Sequence, residues 1–158
     1  MTTLRHFSLT DAPPPAAPAA RVAFASSDRR HVDQHFGAAT GFTIHWVSQR
    51  GSQIAEVIEL AADNGAEDKL AERLEALRGC AAVYCQAAGA GAISRLLARD
   101  IQPRRAEPGT PITAVLADLV AQLPHRPEVW LARALRTPAE ERARFDALEA
   151  EGWTGSAG

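Results

Sequence analysis

Residues 80–85 read Cys-Ala-Ala-Val-Tyr-Cys, a run that is apolar throughout except for the hydroxyl of Tyr84. This composition is typical of a strand that is buried on both faces inside a parallel sheet. Parallel strands need long crossover connections, usually helices, which cover the faces of the sheet. The run therefore predicts a central strand in an α/β fold.

The sequence on either side of this run supplies the other elements of the sheet. Strand-like apolar runs occur at residues 22–25, 42–47, 54–58 and 101–103, and apolar residues at helical spacing occur at 64–79, 93–100 and 110–123. The runs around Gly51 are typical of a hairpin, and Pro103 favours a sheet edge for the last strand. The predicted order is β-β-β-α-β-α-β-α, in which three antiparallel strands precede two crossover units.

Composition changes at both ends of the chain. Residues 1–20 carry Pro13, Pro14, Pro15 and Pro18 among alanines, which predicts a disordered tail before an α/β domain at residues 21–123. Residues 124–158 are predicted to form a helical C-terminal arm with a frayed end, because 137–140 read as a capping box before a charged helix. We expect this arm to pack back on the core, with a free partner-binding arm as the alternative.

The overall composition limits the class of protein. A formal charge of −2 and a pI near 6.2 disfavour a general nucleic-acid or membrane-surface binder. The two cysteines, Cys80 and Cys85, are too few for a disulfide framework, and their spacing predicts side chains on opposite faces of a strand. No leader-like or membrane-spanning apolar stretch is present, so we expect a soluble, cytoplasmic protein, most simply a monomer.

Residues 28–37, Asp-Arg-Arg-His-Val-Asp-Gln-His-Phe-Gly, follow the first predicted strand of the core. His31 and His35 offer imidazole nitrogens to a soft or borderline metal, and Arg29 and Arg30 offer charge to an anion. In an α/β sheet, ligands bind beyond the carboxyl ends of the strands. This loop is therefore expected to meet the loop after Cys85, and together they predict a pocket for an anion that also takes an imidazole ligand.

Each of these signals also has a simpler interpretation. The His31-x-x-x-His35 spacing places both rings on one face only within a helical turn, and it lacks the glutamate of a zinc-protease motif. Cys85 is either a pocket thiol or a small buried apolar residue. Gly89 and Gly91 lack the third glycine of a dinucleotide fingerprint, which disfavours NAD binding.

Several of these segments together resemble a known family. The strings 21–28 and 35–39, the 85–91 loop, the segment 101–103 and the pair Trp130-Leu131 resemble the nitrogenase accessory family of NifX, NafY and the carboxyl domain of NifB. The resemblance covers most of residues 21–135, and the chain length is most similar to that of NifX-type members. It implies a ribonuclease-H-like α/β fold, which agrees with the predicted order of elements.

The resemblance also implies a function and a set of site residues. Family members bind the iron-molybdenum cofactor of nitrogenase or its iron–sulfur precursor, which implies a non-enzymatic carrier of that precursor as transient cargo. By the family motif, His35 is the first candidate for cluster and metal ligand, His31 an auxiliary one, and Arg29 and Arg30 are charge-neutralising groups. The position of four further residues at the same edge adds them to the predicted site: Ser27, Cys85, Gly89 and Gly91.

The implied partners are a NifB-type donor, a NifEN-type maturation scaffold as acceptor, and cofactor-free dinitrogenase. Two alternatives remain open: a chaperone that contacts cofactor-free dinitrogenase through residues 124–150, and a ribonuclease-H-like, magnesium-dependent hydrolase. The hydrolase is disfavoured, because only Asp28 and Asp33 lie at the predicted edge and they are flanked by basic groups.

Overall fold

A six-stranded mixed sheet with helices on both faces forms the middle of the protein. The computed structural model describes residues 5–7, 18–60, 66–136 and 138–150. The strands are β1 (Arg5–Phe7), β2 (Ala20–Ala25), β3 (His31–Val32), β4 (Gly41–Ser48), β5 (Gly51–Glu59), β6 (Ala82–Cys85), β7 (Gln102–Arg105) and β8 (Thr110–Pro111). The α-helices are α1 (Ala66–Ala76), α2 (Ala90–Ala98), α3 (Ile112–Gln122), α4 (Val129–Ala134) and α5 (Pro138–Ala150), and a single 3-10 turn spans Phe36–Ala38.

The strand order of the large sheet is β1-β5-β4-β2-β6-β7, and β3 pairs with β8 in a separate two-stranded ribbon. β2 pairs in parallel with β6, and β6 with β7, whereas β4 is antiparallel to both β2 and β5. Between β2 and α3 the large sheet and its helices follow the predicted order, and β7 lies at a sheet edge as expected. The mixed α/β class is confirmed, and the narrower ribonuclease-H-like assignment stays a prediction.

The two parallel strands β2 and β6 are buried on both faces. Val22 and Phe24 pack into the apolar cluster beneath α3 and α4, where Phe24 stacks on Tyr84 with ring centroids 5.3 Å apart. Alternate residues of the same strands, such as Ala23 and Val83, pack into a second cluster beneath α1 and α2. Each fully buried large apolar side chain contributes about 1.5–3 kcal/mol relative to exposure, so both faces hold these strands in the interior.

Two expectations need correction. Arg5–Phe7 forms a strand that pairs with β5, so these residues depart from the disordered tail predicted for 1–20. The two cysteines are both free, but both pack into the cluster beneath α1 and α2, because Cys80 precedes β6 and does not share its alternation. Their expected placement on opposite faces was wrong.

The arm divides into two parts. Leu131 of α4 is fully buried against the core, as expected for a helix that packs back. In α5 the described side chains are exposed, including Phe145 at 62% and Leu148 at 41%. The proposed capping residue Thr137 lies outside the described residues. No helix in the described parts of the chain is long and apolar enough to cross a bilayer.

Gly41 allows the backbones of β4 and β5 to lie close together. A Cβ atom at this position would lie 2.8 Å from the backbone oxygen of Ile58, which is too close without a shift of β5. We predict that Gly41→Ala lowers the free energy of unfolding by about 1–3 kcal/mol, measured by urea denaturation. Gly91→Ala is the matched control, since open space surrounds that position and alanine favours a helix. Equal stability of the Gly41 variant and the parent would contradict this account.

His45 of β4 gives the fold a dependence on pH. Its ring packs edge-on against Phe24, its Nδ1 has no partner among the described residues, and burial lowers its pKa to about 4. The unfolded chain then binds more protons between pH 6.5 and 4, so stability is complete above that window and falls as the pH drops through it. We predict that the parent loses about 1–2 kcal/mol more stability than His45→Phe between pH 7 and pH 5, by urea titration. Parallel loss in both proteins would refute the assignment.

Candidate functional site

Asp28 organises the loop that follows β2. Its Oδ1 accepts hydrogen bonds from the backbone N–H groups of Arg30 and His31, both at 2.8 Å, and from the Ser26 hydroxyl at 3.1 Å. Its Oδ2 lies 2.7 Å from Nδ1 of His31. The hydrogen bond with His31, followed by those from the two backbone groups, holds the pKa of Asp28 well below its usual range. The loop is therefore built around a permanently charged carboxylate.

The Asp28 contact also orients the His31 imidazole. A carboxylate can only accept, so in the neutral ring Nδ1 carries the hydrogen and Nε2 keeps its lone pair. Ligating histidines in metal sites almost always have such a partner on the other nitrogen. The structure thus gives His31 a feature that is typical of metal ligands. The sequence analysis placed His35 first and did not predict this contact.

The predicted polar and basic residues of the loop differ in the hydrogen bonds and ion pairs that they make within the protein. The backbone N–H and hydroxyl of Ser27 both donate to Asp33. Arg29 has a φ of 66°, and its guanidinium lies 3.2 Å from a carboxylate oxygen of Glu59. Arg30 is exposed and makes no side-chain ion pair within the described part of the chain. Arg30 thus has more free charge to offer an anion than Arg29.

Backbone hydrogen bonds join this loop to the one after β6. The Gln86 N–H donates to the carbonyl of Gln34 at 2.9 Å, and the Phe36 N–H donates to the carbonyl of Ala87 at 2.8 Å. The side chain of Gln34 in turn accepts from the Thr40 N–H at 2.9 Å. The expectation that the two loops meet at the carboxyl ends of β2 and β6 is confirmed.

The segment between the two histidines crosses the edge of the sheet. Val32 packs into the cluster beneath α3, whereas Phe36 packs into the cluster beneath α1 and α2. His31 begins β3 and His35 has extended backbone angles, so no helical turn stacks the two rings. His35 itself is exposed beside the 3-10 turn. The facing His31–His35 pair that the spacing would allow on a helix is therefore not formed.

Cys85 lies at the site but is a poor ligand at neutral pH. Its side chain is 2% exposed and packs among apolar residues beneath α2. Burial raises the pKa of its thiol, and hydrogen bonds from the backbone N–H groups of Ala87 and Phe36 only partly oppose this effect. The thiolate is the form that binds metals, so this environment favours a structural role.

Gly89 and Gly91 lie at the start of α2, where Gly89 is the N-cap residue and no side chain caps the helix. A Cβ atom at either position would meet nothing within 4 Å. Neither glycine is required for internal packing, and both leave the backbone open to a ligand. The unpaired amides of the first helical turn favour negative charge there.

Sequence reasoning missed two arginines at this edge, Arg104 and Arg105, which end β7. They lie in register with Tyr84 and Cys85 of β6. Arg104 pairs with Glu128 at 2.9 Å, whereas Arg105 is exposed and has no ion pair within the described residues. The signal was available, because β7 was predicted to be parallel to β6 and the carboxyl ends of parallel strands meet at one edge.

The described residues contain no group of three or more histidine, cysteine or acidic side chains close enough to hold a metal ion. Asp28 and Asp33 are both engaged in bonds that shape the loop. This arrangement lacks the clustered carboxylates that two-metal hydrolysis requires.

Comparisons with known proteins cover the same part of the chain. Residues 18–122 match the family model described as dinitrogenase iron-molybdenum cofactor. Protein NifX of Azotobacter vinelandii is 45% identical over 136 residues, covering 84% of this chain and 86% of the relative. Protein NifX of Klebsiella pneumoniae is 35% identical over 63% of this chain and 64% of its own length. Protein NifY of Azotobacter vinelandii is 29% identical over 79% of this chain and 52% of its own length.

Proposed function

The chain belongs to the dinitrogenase iron-molybdenum cofactor family, and on that premise we propose that it is a non-enzymatic carrier of the iron–sulfur precursor of that cofactor. The family and the NifX and NifY relatives place the chain in nitrogen fixation and the biosynthesis of the iron-molybdenum cofactor. In this proposal the precursor is transient cargo and is passed between assembly proteins. The carrier works in the cytoplasm as a monomer.

The observation that carries this proposal is the exposed His35 on a loop fixed by backbone hydrogen bonds to Gln86 and Ala87. A carrier must hold its cargo in one place and still release it. One imidazole on a rigid edge provides a ligand that exchanges readily, whereas a closed four-cysteine site would retain the cluster. The hydrogen-bonded backbone of the loop meets the requirement of holding the cargo in one place, and the exposure of His35 meets the requirement of release.

The other predicted residues have graded roles in the proposal. His31, oriented by Asp28, is an auxiliary ligand, and Arg30 supplies charge to the anionic cargo. Gly89 and Gly91 give the cargo access to the amides of α2. Ser27 and Arg29 act through the loop that they stabilise. A NifB-type protein is the proposed donor and a NifEN-type scaffold the proposed acceptor.

Anaerobic loading tests the carrier proposal directly. Purified protein incubated with the precursor should turn brown and gain iron, measured by elemental analysis after desalting. We predict that His35→Asn retains less than about a tenth of the parent's iron, because losing one coordinate bond to the cluster costs at least about 1.4 kcal/mol. His45→Asn is the control, since that residue lies in β4, paired with Val22, and outside the loop. Iron loading of the His35 variant at the parent's level would contradict the assignment of His35 as a ligand.

The exposed helix α5 supports a second candidate function, that of a chaperone for cofactor-free dinitrogenase. Phe145 and Leu148 lie one helical turn apart and are both exposed, which is the pattern of a helix that binds a partner groove. This function could accompany cargo transfer or replace it.

Removal of residues 137–158 separates the two functions. If α5 is the contact surface, the truncated protein should lose capture of cofactor-free dinitrogenase in a pull-down, while its iron loading stays at the parent's level. The double variant Phe145→Ser/Leu148→Ser should reproduce the loss in the full chain. Undiminished capture by both variants would eliminate the arm as the contact surface.

A further inference from the structure

A cavity adjoins the predicted site on the side of the sheet covered by α2. It has a volume of ≈ 290 Å³ and lies between the loop after β6, the first turn of α2 and the end of β7. Its lining includes Cys85, Ala87, Ile93, Arg104 and Arg105. Among the predicted site residues only Cys85 lines it, so the cavity extends the site away from the loop after β2.

Arg105 brings an unneutralised charge to this cavity. Residues in register on neighbouring strands share a face of the sheet, so Arg105 lies on the same face as Cys85, and Arg104 lies on the other. Arg104 is bound to Glu128, but Arg105 has no ion pair within the described residues. The cavity therefore has a free guanidinium on one side and the uncapped amides of α2 close to the other.

His35 adjoins this face of the sheet through the next residue in the chain. Phe36, the next residue, packs with Cys85 and Leu96 beneath α2, and its N–H is bonded to Ala87, which lines the cavity. His31 precedes Val32, which packs on the opposite face. Two contacts therefore connect the region of His35 with Arg105. One is the backbone hydrogen bond from Phe36 to Ala87, and the other is the pairing of Cys85 with Arg105 between β6 and β7.

From this arrangement we propose that Arg105 and the cavity beside α2 form an anion subsite that positions a cluster ligated by His35. The inference rests on the carrier function and adds the direction in which the cargo lies. Arg105 donates charge-assisted hydrogen bonds to sulfide groups of the cargo and does not ligate the metal. Ligation by one imidazole and positioning by one guanidinium give a defined orientation without a second metal ligand.

The proposal is tested with a synthetic anionic [4Fe–4S] thiolate cluster as probe, titrated anaerobically into the full chain and followed by visible absorption. We expect Arg105→Gln to weaken binding about tenfold, as loss of one charge-assisted hydrogen bond predicts. The dependence of Kd on salt should also become shallower than in the parent. Arg105→Lys, which keeps the charge, should recover part of the affinity.

Arg50→Gln is the matched control, because Arg50 is an exposed arginine in the turn between β4 and β5, at the opposite end of the sheet. It changes the net charge equally and should leave binding and salt dependence unchanged. Equal affinities of the parent and Arg105→Gln, or an equal loss in Arg50→Gln, would overturn the subsite while leaving the carrier proposal intact. Absence of cluster binding by the parent itself would overturn the carrier proposal and the subsite together.

Discussion

The parallel pairing of β2 with β6 is the constraint on which the rest of the structure depends. Both strands bury alternate side chains in two separate apolar clusters, so neither strand can shift by one residue without moving its side chains to the wrong face. This pairing fixes the carboxyl ends of the two strands side by side. The loops that follow the two strands therefore lie next to each other, and the backbone hydrogen bonds from Gln86 and Phe36 join them.

The site that results combines a rigid backbone with exposed side chains. Asp28 satisfies the backbone of its own loop and orients His31, while the chain crosses from Val32 on one face to Phe36 on the other, with His35 immediately before Phe36. The positive charge at this edge is likewise divided between arginines that have an acidic partner and arginines that do not. Arg29 and Arg104 are held by Glu59 and Glu128, whereas Arg30 and Arg105 at the same edge have no ion pair within the described residues. An anionic cargo would meet a prearranged set of positive groups, which is how a carrier lowers the cost of binding without enclosing its ligand.

Much of this arrangement could be predicted, for identifiable reasons. The apolar run 80–85 favours a position that is buried on both faces, and the alternation at 42–47 with the turn at Gly51 predicts the hairpin. The shift in its register between Ile44 and His45 was not predicted. The approach of the two loops followed from strand direction alone. The placement of the two cysteines was wrong because strand alternation was extended to Cys80, which precedes the strand. The strand Arg5–Phe7 was missed because its composition is weak and its pairing with β5 is a long-range contact.

The sequence by itself determined the order of the core elements, the two faces of each buried strand and the loop that carries the histidines, because these depend on local periodicity and on short connections. The tertiary structure alone decided that the chain crosses the edge of the sheet between the two histidines, since its direction there is set by the packing of Val32 on one face and Phe36 on the other. It also decided which arginines are free, because Glu59 and Glu128 are distant in sequence from their partners. Electrostatic pairing of this kind has no local sequence signal. The position of Arg105 beside Cys85 could be predicted from parallel strands, but its lack of an ion pair within the described residues could not.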